Sequence, residues 1–340
     1  MFYPMVSDPS AGPSSPTIPP APYTPVKVGL VGAGQWAATM HAPLHTAGAG
    51  TELVGIWSAG GRSSAALAAV HGVRAFASFE ELLASCEAVD FAAPPTVQAV
   101  LAPRAADAGL ALLLEKPLGG SLDQASAVAE AVRRNRTPNA VVLTKRYHPR
   151  TRSFLAAAAE LGEEAPVLGI TGTYLHGGFL DGGFLSTGLP PGQRKRGWRD
   201  EFGALYDLGP HLLDLMEVAA GPIESVSASG SREYVALTTF HSGGATGQAS
   251  LSGSVQLPSV RTRLSVYSPA GTLDYTTEGM DHAECWPILR REFADAVRLG
   301  SRATVDVERA VEIQAIVEAA ALSAREGRRV KVADVLKKSW

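Results

Sequence analysis

Lys116 follows the apolar run Leu112-Leu113-Leu114 and stands between Glu115 and Pro117. An ammonium group at the point where a buried strand leaves the core is placed to stabilise negative charge developing on a substrate oxygen. Further along, Asp207-Leu208-Gly209-Pro210-His211 brings a carboxylate and an imidazole to one helix start. Pro210 suits the first turn of a helix running through His211 to Val218, and histidine has the pKa range for proton transfer at neutral pH. Alone, Asp207 reads as a helix-start residue and His211 as a satisfied surface or core histidine, and the Glu115-Lys116-Pro117 motif is what changes that reading. A third segment concerns a cofactor. Gly32-Ala33-Gly34-Gln35-Trp36-Ala37 fits G-x-G-x-x-G/A, and it follows the strand-like run Val26–Val31 and opens a helical stretch from Gln35 to about Ala47. In that setting Gly32 permits the tight turn, Gly34 lets the backbone approach a diphosphate, and Ala37 allows helix and strand to pack closely. The diphosphate then rests on the N–H groups at the positive end of the helix.

The elements that must position these groups follow from periodicity. Apolar strands at Leu53–Trp57, Val89–Ala93, Ala111–Glu115 and Ala140–Thr144 alternate with helical stretches. Two of those helices open with capping boxes, at Ser78–Glu81 and Ser121–Gln124. Strands that are apolar throughout and separated by helices predict a doubly wound parallel sheet with both faces covered. After Arg146 the pattern changes. Val167–His176, Ile223–Gly230, Tyr234–His241, Thr246–Ser252 and Arg261–Ser268 read as strands without intervening helices, followed by helices at Trp286–Leu299 and Val307–Arg325. The fold class is therefore α/β: a Rossmann domain at 25–146 and an α+β domain with an open, largely antiparallel sheet at 147–340. Residues 1–24, rich in Pro and Ser and without periodicity, are expected to form a disordered or extended tail.

The second strand ends at Trp57-Ser58 without the acid that would bind the ribose 2′-hydroxyl of NAD. Ser58 can donate a hydrogen bond, and Arg62 four residues on suits a phosphate dianion. NADP(H) is expected in preference to NAD(H). Bulk properties exclude other classes. A net charge of −3 argues against nucleic acid and membrane partners. No apolar run approaches spanning length. Cys86 and Cys285 lie far apart and request no disulfide, which fits a reducing cytoplasm. His41 and His45 stand four apart but lack a third ligand, so no metal site is expected.

GAGQWA after the first strand, AAPP after the fourth, LLLEKPLGG after the fifth and WRDEFGALYDLGPHLLDL further on resemble the glucose–fructose oxidoreductase / inositol dehydrogenase / MocA family over roughly residues 25–335. The resemblance implies that Lys116 contacts the reacting oxygen, that the Lys116–Pro117 bond is cis, that His211 is the acid/base, and that Asp207 positions the substrate or the histidine. It implies a dinucleotide cradle of Gly32, Gly34, Gln35, Trp36, Ala37, Ser58, Arg62, Pro94 and Glu115, with Glu115 holding the loop or the lysine. It places Arg146 and Tyr147 at the domain junction facing the cleft, and Trp198 and Arg199 before the Asp207 helix, all as substrate contacts. His41 is implied to be a packing residue, and Gln98 stands where many members have histidine. The implied activity is hydride transfer between nicotinamide and a secondary alcohol or ketone of a sugar, cyclitol or related polyol, in a homodimer or homotetramer built through the C-terminal sheet. Two other readings remain open: a glycoside hydrolase that recycles the hydride of tightly bound NAD, and a non-catalytic nucleotide-bound sensor. The basic run Gln193-Arg194-Lys195-Arg196 reads as a solvated loop that a phosphorylated substrate could also meet.

Overall fold

The computed structural model describes residues 23–181, 183, 185 and 197–337. The run Gln193–Arg196 and most of the N-terminal tail lie outside them. Strand β1 (Val26–Val31) leads through the glycine loop and a π-helical turn at Ala37–His41 into α1 (Ala42–Thr46). There follow β2 (Thr51–Trp57), α2 (Arg62–His71), β3 (Arg74–Ala75), α3 (Phe79–Leu83), β4 (Ala88–Phe91), α4 (Pro95–Asp107), β5 (Ala111–Glu115), α5 (Leu122–Asn135) and β6 (Asn139–Val142). The strands form one parallel sheet in the order β3-β2-β1-β4-β5-β6. The winding direction reverses between β1 and β4, and the crevice beyond the carboxyl ends of those two strands is where such sheets bind ligands. Both expected caps are present: Ser78 accepts from the Glu81 N–H and Ser121 from the Gln124 N–H.

Gly32 has a φ of 120°, and a Cβ there would sit 2.2 Å from the Ala92 carbonyl oxygen, so only glycine lets the β1 and β4 ends approach. A Cβ at Gly34 would meet nothing within 4 Å.

Helices α6 (Thr144–Tyr147) and α7 (Pro149–Glu164) lead into the second domain. Its elements are β7 (Gly169–Leu175), α8 (Trp198–Ala220), β8 (Ile223–Gly230), β9 (Tyr234–His241), β10 (Thr246–Ser252), β11 (Arg261–Ser268), β12 (Gly271–Thr276), α9 (Cys285–Leu299), α10 (Val307–Glu326), β13 (Val330–Lys331) and α11 (Val332–Leu336). The sheet order is β12-β11-β7-β10-β9-β8-β13, with β7 and β10 parallel and the other neighbours antiparallel. Helices α8 and α10 cover one face. Burial alternates along β9, as it must in a sheet covered on one side. The other face carries a hydroxyl-rich concavity that includes Thr171, Thr173, Thr238, Gln248 and Ser250.

Three elements depart from expectation. Helix α7 is capped by the His148 ring, whose Nδ1 accepts from the Arg150 N–H, an unusual cap that gives no sequence signature. Helix α8 begins at Trp198 and is broken at Gly203, where φ is 74°. Pro210 therefore lies inside the continued helix rather than in its first turn, because the break occurs upstream. The end of the N-terminal tail is also tied down. Tyr23 donates to Asp295 on α9 at 2.5 Å, and Arg298 on the same helix donates to the carbonyls of Thr24 and Pro25.

Candidate active site

Strand β5 is fully buried and delivers Lys116 to the crevice. What holds the strand end is Gln98 of α4, itself buried: its amide accepts from the Glu115 N–H and donates to the carbonyls of Glu115 and Leu118. The Lys116–Pro117 peptide is cis. The Lys116 Nζ donates to the Asp207 carboxylate at 2.6 Å and to the Asp207 carbonyl at 2.9 Å. This contact joins the Rossmann domain to α8. Both side chains are about nine-tenths buried, 10% and 7% exposed. The Arg199 Nε adds a third donor to the same carboxylate at 3.2 Å. Burial alone would raise the pKa of Asp207, but Arg199 and Lys116 outweigh it and hold the carboxyl well below its ordinary value.

His211 lies one helical turn beyond Asp207 and is buried. Its Nδ1 has no hydrogen-bond partner among the described residues. Burial, followed by Lys116 and Lys145, pushes its pKa well below 6.5. The ring is thus neutral at physiological pH and able to accept a proton. Its edge meets the Tyr174 ring at 6.0 Å between centroids, and Tyr174 in turn meets His176 at 5.7 Å. An inner chamber of about 90 Å³ is lined by Lys116, Asp207, His211, Tyr174 and His176. It adjoins a wider cavity of about 300 Å³ lined by Gly34, Gln35, Trp36, Ala92–Pro94, Glu115, Lys116, Trp198 and Arg199.

A buried polar chain supports the lysine from below. Glu115 accepts from Trp36 Nε1 at 2.7 Å and from the Lys116 N–H, and it pairs with His41 Nε2 at 3.0 Å. The other nitrogen of His41 faces Asp90, which also receives His45. Burial would lower the His41 pKa, yet the two flanking carboxylates raise it to about 10, so the ring is an imidazolium donating from both nitrogens. Asp90 is held at about 2, against the cost of burial, by the two histidines. His41 and His45 are thus links in an ion-pair chain that ends on the catalytic strand. Among the described residues, no group of three or more His, Cys, Asp or Glu is arranged to hold a metal.

The other expected site residues divide. Gly34, Gln35, Trp36, Pro94, Glu115, Trp198 and Arg199 line the wide cavity, although the Glu115 oxygens are committed to the chain just described. Gly32 and the buried Ala37 shape the loop from beneath. Ser58 and Arg62 lie at the end of β2 and the start of α2, outside the lining, and Arg62 has no ion-pair partner among the described residues. Two residues are corrected. Tyr147 is completely buried and donates to the Val141 carbonyl, so it is a core residue and faces no cleft. Arg146 donates to both carboxylate oxygens of the buried Asp214 at 3.0 Å, next to Arg309, and so fixes α8 instead of contacting substrate. Tyr174, His176, Lys145 and Trp286 were missed. For Tyr174 and His176 a signal existed: the period-2 alternation through Ile170 and Gly172 carries them onto the face that packs α8.

The open space at Gly34, the loop against the β4 end and the neutral His211 together fit a dinucleotide with its nicotinamide toward the inner chamber. Comparison with known proteins agrees. Residues 26–142 match the Gfo/Idh/MocA oxidoreductase model for an NAD-binding Rossmann fold, and residues 167–274 match the Gfo/Idh/MocA C-terminal domain. The chain belongs to the Gfo/Idh/MocA family. It is an NAD(P)-dependent dehydrogenase. Solved structures share the fold at low identity. GenD2 from gentamicin A biosynthesis, in complex with NAD, superposes with a TM-score of 0.81 at 22% identity, over 93% of this chain and 99% of that one. A putative myo-inositol dehydrogenase from Sinorhizobium meliloti gives 0.75 at 20% over 90% and 99%. Levoglucosan dehydrogenase with NADH and levoglucosan gives 0.79 at 19% over 90% and 98%. Among the described residues no helix is long and apolar enough to cross a membrane.

The depressed pKa values set a pH dependence. A group neutralised or ionised by the fold below its ordinary pKa stabilises the native state above that ordinary value, and the contribution disappears as pH falls. For catalysis, His211 stays in its basic form below pH 6.5. In the oxidation direction the acid limb of kcat/KM should have its midpoint under pH 6.5. A pH–rate profile whose acid limb is centred at or above that value would contradict the assignment of His211 as a buried neutral base.

Proposed function

We propose that the enzyme exchanges a hydride between NADP(H) and a secondary alcohol or ketone of a sugar, cyclitol or related polyol. The observation that carries this reading is the meeting of Lys116 from one domain with Asp207 and His211 from the other in one small chamber beside the dinucleotide loop. Bound in the wide cavity, the nicotinamide would supply the two-electron acceptor or donor. The chain's own groups do the rest. A substrate hydroxyl in the chamber lies within reach of the neutral His211, which takes its proton during oxidation. Lys116, with its ammonium held by Asp207, stabilises the charge that develops on the same oxygen. In reduction His211, having first taken up a proton from solvent, gives it to the oxygen as the carbonyl is consumed. Asp207 positions the lysine by two hydrogen bonds and shares its charge with Arg199.

The preference for NADP rests on the β2 end, where Ser58 replaces an acid and Arg62 is without an ion-pair partner among the described residues. An exposed guanidinium with no carboxylate beside it suits a ribose 2′-phosphate. The hydroxyl-rich face of the second sheet lies opposite the helices, and we propose that a second copy of the chain covers it.

Replacing Lys116 with alanine should reduce turnover by about 10²–10³-fold, as expected for one lost oxyanion donor. Dinucleotide binding should survive in a fluorescence titration, and turnover close to wild type would refute the role of the lysine. The KM for NADP should lie below that for NAD, and Arg62→Ala should raise the former by about tenfold, the loss of one charged hydrogen bond. A lower KM for NAD would overturn the cofactor preference. Sedimentation equilibrium should give a dimer or tetramer, and a lone monomer at micromolar concentration would remove the sheet-to-sheet contact.

A further inference from the structure

Beside the inner chamber lies a second cavity of about 250 Å³, lined by Trp36, Met40, Tyr174, Met280, Trp286 and Lys145. Trp36 and Tyr174 border both spaces, so one ligand can occupy them together. Much of the wall is aromatic and thioether surface, which suits the apolar face of a sugar ring. Thr144, His148 and His282 add polar groups to it. Lys145 adds an ammonium group. It is 7% exposed, and its Nζ lies 4.1 Å from the Tyr174 ring centroid. No carboxylate lies within ion-pair distance of it among the described residues. Other buried cations of the domain junction are paired: Lys116 with Asp207, Arg146 with Asp214, and Arg309 with Asp214 and Glu217. The neighbouring Cys285 thiol does not compensate, since burial pushes its pKa up to about 12 and keeps it neutral. The Trp286 Nε1 in the same wall is buried and has no hydrogen-bond partner among the described residues. A buried cation without an anion is costly, and such a site gains most from a ligand that brings the missing charge.

We propose that the substrate carries a carboxylate and that Lys145 receives it, with Trp286 Nε1 donating a second hydrogen bond. The inference rests on the polyol dehydrogenase reading and narrows it to acidic sugars, of the uronate or aldonate type. The reacting hydroxyl lies between Lys116 and His211, and the carboxylate lies at a different carbon, against Lys145. One ammonium and one indole N–H match the two oxygens of a carboxylate. A phosphate dianion presents three oxygens, and the described residues lining this cavity offer it no arginine fork. Burial, which lowers the Lys145 pKa to about 8, leaves the group largely charged at pH 7 and responsive to a bound anion.

The test is a calorimetric titration of the NADPH-loaded enzyme with matched pairs, glucuronate against glucose and galacturonate against galactose, with glucose 6-phosphate as a further arm. In at least one pair the acid should bind about tenfold or more tightly than its neutral parent. In Lys145→Met, which keeps the side-chain length and removes the charge, that ratio should fall to near one. A thermal melt with NADPH establishes that the variant is folded, and Lys145→Arg should keep an acid preference. The assignment is overturned if neither acid outbinds its parent, if the advantage survives in Lys145→Met, or if glucose 6-phosphate binds more tightly than glucuronate. Nicotinamide absorbance on the same ligands is read separately. Preferential binding without turnover would sink the dehydrogenase reading while leaving the carboxylate site, and turnover of neutral sugars without acid preference would do the reverse.

Discussion

The contact between Lys116 and Asp207 is the constraint around which this molecule is arranged. It brings a cation from the end of a parallel strand against an anion from a helix of another domain, with little water around either. Such a pair is favourable only where both groups are pinned and their remaining hydrogen-bonding capacity is used. The second bond from the ammonium to the Asp207 carbonyl, and the Arg199 guanidinium on the carboxylate, meet that requirement. Burial keeps the His211 base neutral, and the same cation adds to that effect while Asp207 opposes it.

Each half of the contact has its own support. On the Rossmann side, Gln98 grips the backbone around Lys116, while the hydrogen-bonded chain Trp36–Glu115–His41–Asp90–His45 fills the space below. On the other side, Arg146 and Arg309 converge on Asp214, one turn past His211, and set the rotation of α8. Gly203 lets that helix change course. A Cβ there would stand 2.7 Å from the Arg232 carbonyl oxygen. Rigid placement of this kind is what oxyanion stabilisation needs, because its benefit depends on donors that do not have to reorganise.

Much of this was legible because it is local. The glycine loop, the lysine after β5, the capping boxes and five strands of the second sheet are properties of short windows, and the structure places them at or within a few residues of the positions read from the chain. The errors were at the domain junction. Arg146 and Tyr147 occupy a junction that suggests a cleft, but Tyr147 turns into the core and Arg146 is drawn to a buried acid distant in sequence. Lys145, beside them, is the residue that faces a cavity. Which of three consecutive side chains points where depends on the short helix α6 and its packing against α9, and no window of sequence contains that information.

The sequence by itself determined the two-domain α/β plan and the dinucleotide loop, since strand and helix periods and the glycine requirement act over a few bonds, and the family resemblance supplied the candidate reacting groups. Tertiary structure alone decided that Asp90 has two histidine partners, that His211 is dry enough to be neutral, and that Lys145 is left without a counter-ion among the described residues. Those are facts about distance and solvent, and the electrostatic energy of a side chain depends on what folds against it from far along the chain.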